Sequence, residues 1–490
     1  MDYETVIGLE VHAQLLTNSK MFCSCNAGYQ DAAPNTVVCE VCMGMPGVLP
    51  VINRRAVELV IKTGLALDCT ISEFTKFDRK NYPYPDLMKG YQISQYDQPI
   101  ALGGGLTIDS GGHKRRVAIT RVHLEEDTAR LLHRVEPDGV GYSLLDINRA
   151  GVPLMEVVSE PDMRAPEEAR SYLVKLRTIL RYLGVSTANM EEGSFRCDAN
   201  ISLRPIGSSE LGAKVEVKNM NSFRSVYNAL EYEIGRQSEV LTQGGRIEQE
   251  TRGWVEDRQV TVSQRTKEYA SDYRYFPEPD LPPLVIDAVW VDEIRESMPE
   301  LPDAREARFV EEFGLPLYDT GLLTSSKPTA DFFEAVLSAR APNGKDRRQT
   351  AKAVSNWILG ELTRLMNAEG VDITQLKLQP VHLLELLDLI DDGTLSTSMA
   401  KTVFETMFET GRSPKQIAEA DGMAQIVDAQ SLKPAVDQAI SSNPKPVADY
   451  LAGKETAVRF LVGQVMKLTR GKANPNLVSE MVKESLEARR

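Results

Sequence analysis

GLEVHAQL, residues 8–15, alternates strictly: Leu9, Val11, Ala13 and Leu15 interleave with Gly8, Glu10, His12 and Gln14. A period of two marks a strand with one buried face. Glu10 and His12 then leave the other face together, about 7 Å apart at strand rise. Three more stretches repeat the pattern. In RVHLEED (121–127), Val122 and Leu124 oppose Arg121, His123, Glu125 and Asp127. In FRCDANISL (195–203), Cys197, Ala199, Ile201 and Leu203 oppose Arg196, Asp198, Asn200 and Ser202. In KVEVKNM (214–220), Val215 and Val217 oppose Lys214, Glu216 and Lys218. Four such strands predict an antiparallel sheet covered on one side only.

Two helices are set into this strand-like region, so the expected fold class is α+β. PEEARSYLVKLRTILRYLG (166–184) opens on Pro166, turns Tyr172, Leu173, Leu176, Ile179, Leu180 and Leu183 to one face, and stops at Gly184. NSFRSVYNALEYEIGRQSEVLTQGG (221–245) takes Asn221 or Ser222 as its cap, with Val226, Leu230, Ile234 and Leu241 inward. The cluster PEPDLPP (277–283) closes the region, and the remainder reads as helical. At 490 residues the chain exceeds one core, and three units are expected: a large mixed domain (1–294), an all-helical connector (295–410) and a small helical tail (411–490).

A net charge of −14 excludes a chain that coats nucleic acid through dense Lys and Arg. The tail differs, with 12 Lys and Arg against 9 Asp and Glu, a surplus that suits local docking of a polyanion or an ordinary solvated helix. No apolar run reaches the roughly 18 residues of a membrane span, and the opening MDYETVIGLEV has no signal-peptide pattern, so a cytoplasmic protein without membrane partners is expected.

The polar faces carry Glu10, Glu125, Asp127, Asp198 and Glu216 with two histidines. Water alone accounts for any one such strand. Neighbouring strands so rich in carboxylates repel unless a cation sits among them, and oxygen ligands with at most one imidazole suit magnesium or manganese. There is no Walker A motif and no GxGxxG opening a helix, so ATP would rest on the metal and on scattered cations. Arg79, Lys80, Lys89, Arg149, Arg196 and Lys218 are the candidates, each also readable as an ordinary surface charge. Cys23 and Cys25, followed by Cys39 and Cys42, read as a tetrahedral zinc site, structural because four thiols leave no open position. His113, His133 and His382 have no partner at a telling spacing.

YETVIGLEVHAQL, CEVCMGMPGVLPVIN, DRKNYPYPDLMKGYQISQ, RVHLEEDTARL, DINRAGVPLMEVVSEPD, EEGSFRCDANISLRP, KVEVKNMNSFRSV and YRYFPEPDLPPL together resemble the B subunits of bacterial tRNA-dependent amidotransferases. FLVGQVMKLTRGKANPNLVSEMVKESL resembles their tRNA-contacting tail. The resemblance implies a cradle similar to the glutamine synthetase fold. It implies ATP-dependent phosphorylation of the side-chain carboxylate of Glu or Asp misacylated on tRNA, then displacement by ammonia from an amidase A subunit. A small C subunit completes the heterotrimer, and a nondiscriminating aminoacyl-tRNA synthetase is an implied partner. Carried over by resemblance, Glu10, His12 and Glu125 bind magnesium, with Glu156, Asp198 and Glu216 as additions. Lys80, Arg149 and Lys218 meet phosphate or the aminoacylated tRNA end, and the four cysteines match the zinc-bearing branch. Two rivals stand beside it: a noncatalytic tRNA scaffold and a small-molecule ATP-dependent carboxylate–amine ligase.

Overall fold

The computed structural model describes residues 3–266, 273–339, 346–420, 429–452, 454–469 and 473–489. The chain divides into two compact units, Met1–Pro302 and Asp303–Arg490.

The first unit is built on a ten-stranded sheet. The strands that matter below are β1 (Tyr3–Gln14), β2 (Asp78–Asn81), β3 (Tyr91–Ser94), β4 (His113–Glu126), β5 (Pro153–Ser159), β6 (Phe195–Pro205), β7 (Val215–Lys218), β8 (Glu250–Val255) and β9 (Val260–Thr266). All but β2 and β3 lie in the sheet, in the order β9-β8-β7-β6-β1-β5-β4, continued by Ala101–Leu102 and Thr70–Ile71, with Gly105–Ser110 paired beside β4. β2 and β3 pair with each other and with Phe276–Pro277 in a separate three-stranded sheet.

The expected wholly antiparallel sheet is in fact mixed, because β7 and β8 run parallel. Between them lies the helix α3 (Phe223–Thr242), and a strand that returns through a crossover helix comes back in the same direction. Nor are β1 and β4 neighbours, since β5 pairs with both.

The alternation read in the sequence sets the sheet's two faces. Leu9, Val11 and Ala13 of β1, Val122 and Leu124 of β4, Cys197, Ala199 and Ile201 of β6 and Val215 and Val217 of β7 enter one core with the helices α1 (Arg54–Ala66), α2 (Pro166–Tyr182) and α3. Fully burying a side chain of Leu or Val size contributes about 1.5–3 kcal/mol, so this apolar row fixes which way Glu10 and His12 point. Pro166 stands in the first turn of α2, Gly184 beyond its end has φ +64°, and the Ser222 hydroxyl caps α3 by accepting from Ser225 N.

The second unit is helical, with one apolar cluster spanning residues 309–418 and another spanning 432–486. The division at 302/303 lies beyond the expected boundary at 294/295, and Met298 and Leu301, past that boundary, pack against the sheet's core. Ile417 and Ala418 belong to the first helical cluster, seven residues past the expected start of the tail at 411. Among the described residues no helix is long and apolar enough to cross a membrane.

Candidate active site

Register brings the polar face together. His12 lies opposite Glu156 of β5 on one side and Arg196 of β6 on the other, and Glu156 lies opposite His123 of β4. One row across four strands therefore reads Arg196, His12, Glu156, His123. In the next row Glu10 lies opposite Asp198.

Glu125 of β4 stands in the row on the other side, opposite Leu154 of β5, and the contacts among these rows are selective. His12 Nε2 lies 3.5 Å from Glu125 Oε1 and 3.4 Å from Glu156 Oε2, and His123 Nε2 lies 3.2 Å from Glu156 Oε2. His12, Glu125 and Glu156 offer ligand atoms within 4.8 Å of one another and could hold a metal ion. Burial opposes a charge on His12, yet Glu156 and Glu125 outweigh it and raise its pKa to about 9. Glu156 is likewise buried but held well below the usual carboxylate range by His123 and His12. His12 and Glu156 thus keep opposite charges against their burial because they face each other, and a metal ion bound here would take the place of the His12 proton.

The remaining predicted ligands are occupied differently. Burial, and then Glu156, raise the pKa of Glu10, while Asn200 Nδ2 donates to its Oε1 at 2.9 Å. Asp198 and Glu216 share the ammonium of Lys218, at 2.6 Å and 3.1 Å, and Thr251 also donates to Glu216. Lys218 is thereby raised above the ordinary lysine value against its burial. Asp127 is held by Arg196, by Gln14 Nε2 at 2.7 Å and by Arg149 at 3.6 Å. The protein's own cations thus neutralise part of the acidic face, and only Glu10, Glu125 and Glu156 remain without a Lys or Arg in ion-pair contact among the described residues.

A cavity of about 530 Å³ opens on this face. Its lining includes Glu10, His12, Lys80, Glu125, Glu156, Arg196, Asp198, Glu216 and Lys218. The Lys80 ammonium sits over the rings of Tyr273 (4.8 Å) and Tyr82 (5.7 Å). Burial disfavours its charge, but Tyr275, Glu125, Tyr82 and Glu156 outweigh burial and raise its pKa.

Three of the predicted cations do not line the cavity. Arg79 is clamped by Glu278 at 2.6 and 2.8 Å, with Asp280 at 3.2 Å. Lys89 pairs with Glu126. Arg149 donates to the carbonyls of Thr128 (2.8 Å) and Ala129 (2.9 Å) as well as reaching Asp127. A cation already satisfied by a buried carboxylate gains little from leaving it for a ligand.

The thiols of Cys23, Cys25, Cys39 and Cys42 also lie within 4.8 Å of one another and could hold a metal ion. The loop that carries them is tied down at both halves. Lys20 N donates to Cys25 O at 2.9 Å, Lys20 Nζ to Val37 O at 2.8 Å, and Val37 N to Asn148 Oδ1 at 2.8 Å.

Sequence reasoning saw His123 and Asn200 on the polar faces without giving either a role, and it passed over four tyrosines. The signal for the latter was present: Tyr82 in NYPYP and Tyr273 and Tyr275 in YRYF lie in tyrosine-dense stretches, and Tyr96 follows QISQ. Glu156 needed β5, a nearly continuous apolar run whose alternation is hidden by Leu154 and Val158.

Comparison with known proteins gives the chain a family. The GatB/GatE catalytic domain family matches residues 5–292, and the GatB domain family matches residues 331–486. The chain is 58% identical over 487 residues, 99% of both chains, to the B subunit of the aspartyl/glutamyl-tRNA(Asn/Gln) amidotransferase of Dehalococcoides mccartyi (strain CBDB1). It is 56% identical over 486 residues, 99% of this chain and 100% of the relative, to the B subunit of the same name from Moorella thermoacetica. With more than half of its length matched by one family and near-complete alignment to these relatives, the chain belongs to the family of aspartyl/glutamyl-tRNA amidotransferase B subunits.

Proposed function

We propose that this chain is the ATP-consuming, tRNA-binding subunit of a glutamine-dependent amidotransferase, a carbon–nitrogen ligase that converts Glu-tRNA(Gln), Asp-tRNA(Asn) or both to the amidated forms. The observation that carries the reading is the meeting of His12, Glu125 and Glu156 on the open face of the sheet. Two carboxylates and an imidazole suit a divalent cation that also binds phosphate oxygens, magnesium being the proposed one. Such a cation supplies charge neutralisation to the phosphoryl group in transit.

The reaction is balanced as two displacements. A side-chain carboxylate oxygen of the aminoacyl group attacks the γ-phosphorus of ATP, the bond from that phosphorus to the bridging oxygen breaks, and ADP leaves. The nitrogen of ammonia then attacks the acyl carbon, the acyl C–O bond breaks, phosphate leaves and a proton is released. Lys80, kept charged among the tyrosines and near Glu125 and Glu156, is placed to meet the carboxylate or phosphoryl oxygen. Lys218 and Arg196, each already holding an acid, supply cationic edges to the same cavity. Arg79, Lys89 and Arg149 serve instead as braces of the walls.

The finer assignments belong to the same proposal. The cradle resembles the glutamine synthetase fold, and the cysteine cluster binds a structural zinc. The helices of residues 295–410 connect to a tail, 411–490, that contacts tRNA by shape and a few backbone contacts rather than a basic stripe. Ammonia comes from an amidase A subunit, a small C subunit completes the assembly, and a nondiscriminating synthetase supplies the substrate in the cytoplasm.

The test is ATP- and glutamine-dependent conversion of Glu-tRNA(Gln) and Asp-tRNA(Asn) by the reconstituted complex. The expected result is conversion of at least one substrate, dependent on this chain. No conversion of either would sink the reading.

A further inference from the structure

One wall of the cavity is aromatic, and the chemistry above leaves it without a task. Tyr82, Tyr96, Tyr273 and Tyr275 line it. The rings of Tyr96 and Tyr275 stack with centroids 4.3 Å apart and planes 11° from parallel. Tyr275 meets Tyr273 edge-on at 6.1 Å, and Tyr273 meets Tyr82 edge-on at 5.7 Å, so the four form one continuous array.

Tyr96 is the exposed end of the stack, 45% accessible. Its backbone is nonetheless fixed. Tyr96 N donates to Oδ2 of the buried Asp78 at 3.0 Å, and Lys76 bridges Asp78 (2.5 Å) and Asp97 (2.6 Å) on either side of it. A rigid, flat ring held open in a cavity of otherwise largely polar lining is a surface prepared for another flat ring. Stacking on a pre-ordered pair adds contact without the cost of ordering the protein side.

We propose that the outer face of the Tyr96–Tyr275 stack seats the adenine base of a reactant. The inference rests on the function proposed above, which brings two adenine-bearing reactants here: ATP, and a tRNA whose 3′-terminal nucleoside is adenosine. Lys80 fits the arrangement, because its ammonium lies on the aromatic wall and lines the same cavity as His12, Glu125 and Glu156. A phosphate attached to the stacked nucleoside would meet it on the way to that group.

The experiment compares Tyr96→Ala, Tyr96→Leu and Tyr96→Phe in the reconstituted complex, with KM for ATP and KM for the aminoacyl-tRNA measured separately. Base stacking on one aromatic side chain corresponds to about a tenfold change in affinity. The expected result is a rise of that order in one KM for both Ala and Leu, with Phe restoring it because the ring and not the bulk or the hydroxyl is what the base needs. A rise confined to ATP assigns the seat to the nucleotide. A rise confined to the aminoacyl-tRNA assigns it to the terminal adenosine, and replacing that adenosine by cytidine should then shrink the gap between wild type and Tyr96→Ala. Unchanged KM values, equal rises in both, or a Leu variant as good as Phe would overturn the proposal. An inactive wild-type complex would instead overturn the functional reading on which it rests.

Discussion

Among its described residues the first unit holds two groups of side chains that could hold a metal ion, built in opposite ways. The cysteine cluster draws four thiols from one loop, pinned to Lys20 and Asn148, and four ligands fill a tetrahedral shell. The group of His12, Glu125 and Glu156 draws one side chain from each of three strands and faces a cavity of about 530 Å³. A closed shell steadies a fold, whereas an open one leaves positions for a ligand. The difference predicts that damage to the open group removes chemistry and spares structure, and that damage to the closed one does the reverse.

The largest expected effect follows from the open group. Glu156→Gln removes the anion facing both His12 and His123 with almost no change in volume. Loss of a group that organises a phosphoryl-transfer site costs on the order of a thousandfold in rate. Amidation by the reconstituted complex should fall by that order, while tRNA binding by the same variant stays within about twofold. If amidation stays within tenfold of wild type, this group is not the centre.

The second prediction tests the closed group. Cys42→Ser should abolish binding of the proposed zinc, so that metal analysis finds about one equivalent of zinc in the wild type and none in the variant. The thermal midpoint of the first unit should fall by several degrees, at roughly 2–4 °C for each kcal/mol lost in a large domain. Amidation measured well below that midpoint should fall much less than for Glu156→Gln. A loss of activity as deep as that of Glu156→Gln, in a variant that remains folded, would erase the distinction between the two groups.

The same contrast explains what could be read from the sequence. The thiols announced themselves, because their ligands are close along the chain and spacing alone groups them. The sheet group needed strand order. Alternation fixed the faces of β1, β4, β6 and β7, but only register shows that Glu156 lies between His12 and His123. The charge count had the same weakness. Five carboxylates on four polar faces argued for a cation, yet Lys218 and Arg196 answer Asp198, Glu216 and Asp127 from within those faces. Which acid meets which base is a matter of side-chain reach across strands, and periodicity does not carry it. The parallel pairing of β7 and β8 was also hidden, because a single strand's pattern holds no direction.

Lys218 gives a third, intermediate effect. Lys218→Met would leave Asp198 and Glu216 facing one another without their shared cation. Removing one partner of a half-buried ion pair leaves the remaining charges with part of their burial penalty and with mutual repulsion. Amidation should fall by about 10- to 100-fold, and Lys218→Arg should recover part of it by restoring charge without the same reach. A Met variant indistinguishable from wild type would mean that the two acids are paired for stability alone.

Glu10 should matter least, although in the sequence it stands level with His12 in GLEVHAQL. The structure separates the two residues. His12 reaches Glu125 and Glu156, while Glu10 lies one row away and accepts from Asn200. Burial and neighbouring acids raise its pKa, so the protein already bears part of the cost of a charge there. Glu10→Gln keeps the shape, and Asn200 keeps an acceptor in the Gln side-chain oxygen. The expected loss of amidation is therefore less than about tenfold, against roughly a thousandfold for Glu156→Gln. An equal loss for the two variants would place Glu10 among the ligands of the bound state and show that Asn200 yields it when the cation enters. A small loss would confine the centre to His12, Glu125 and Glu156, with Glu10 tuning the field beside them.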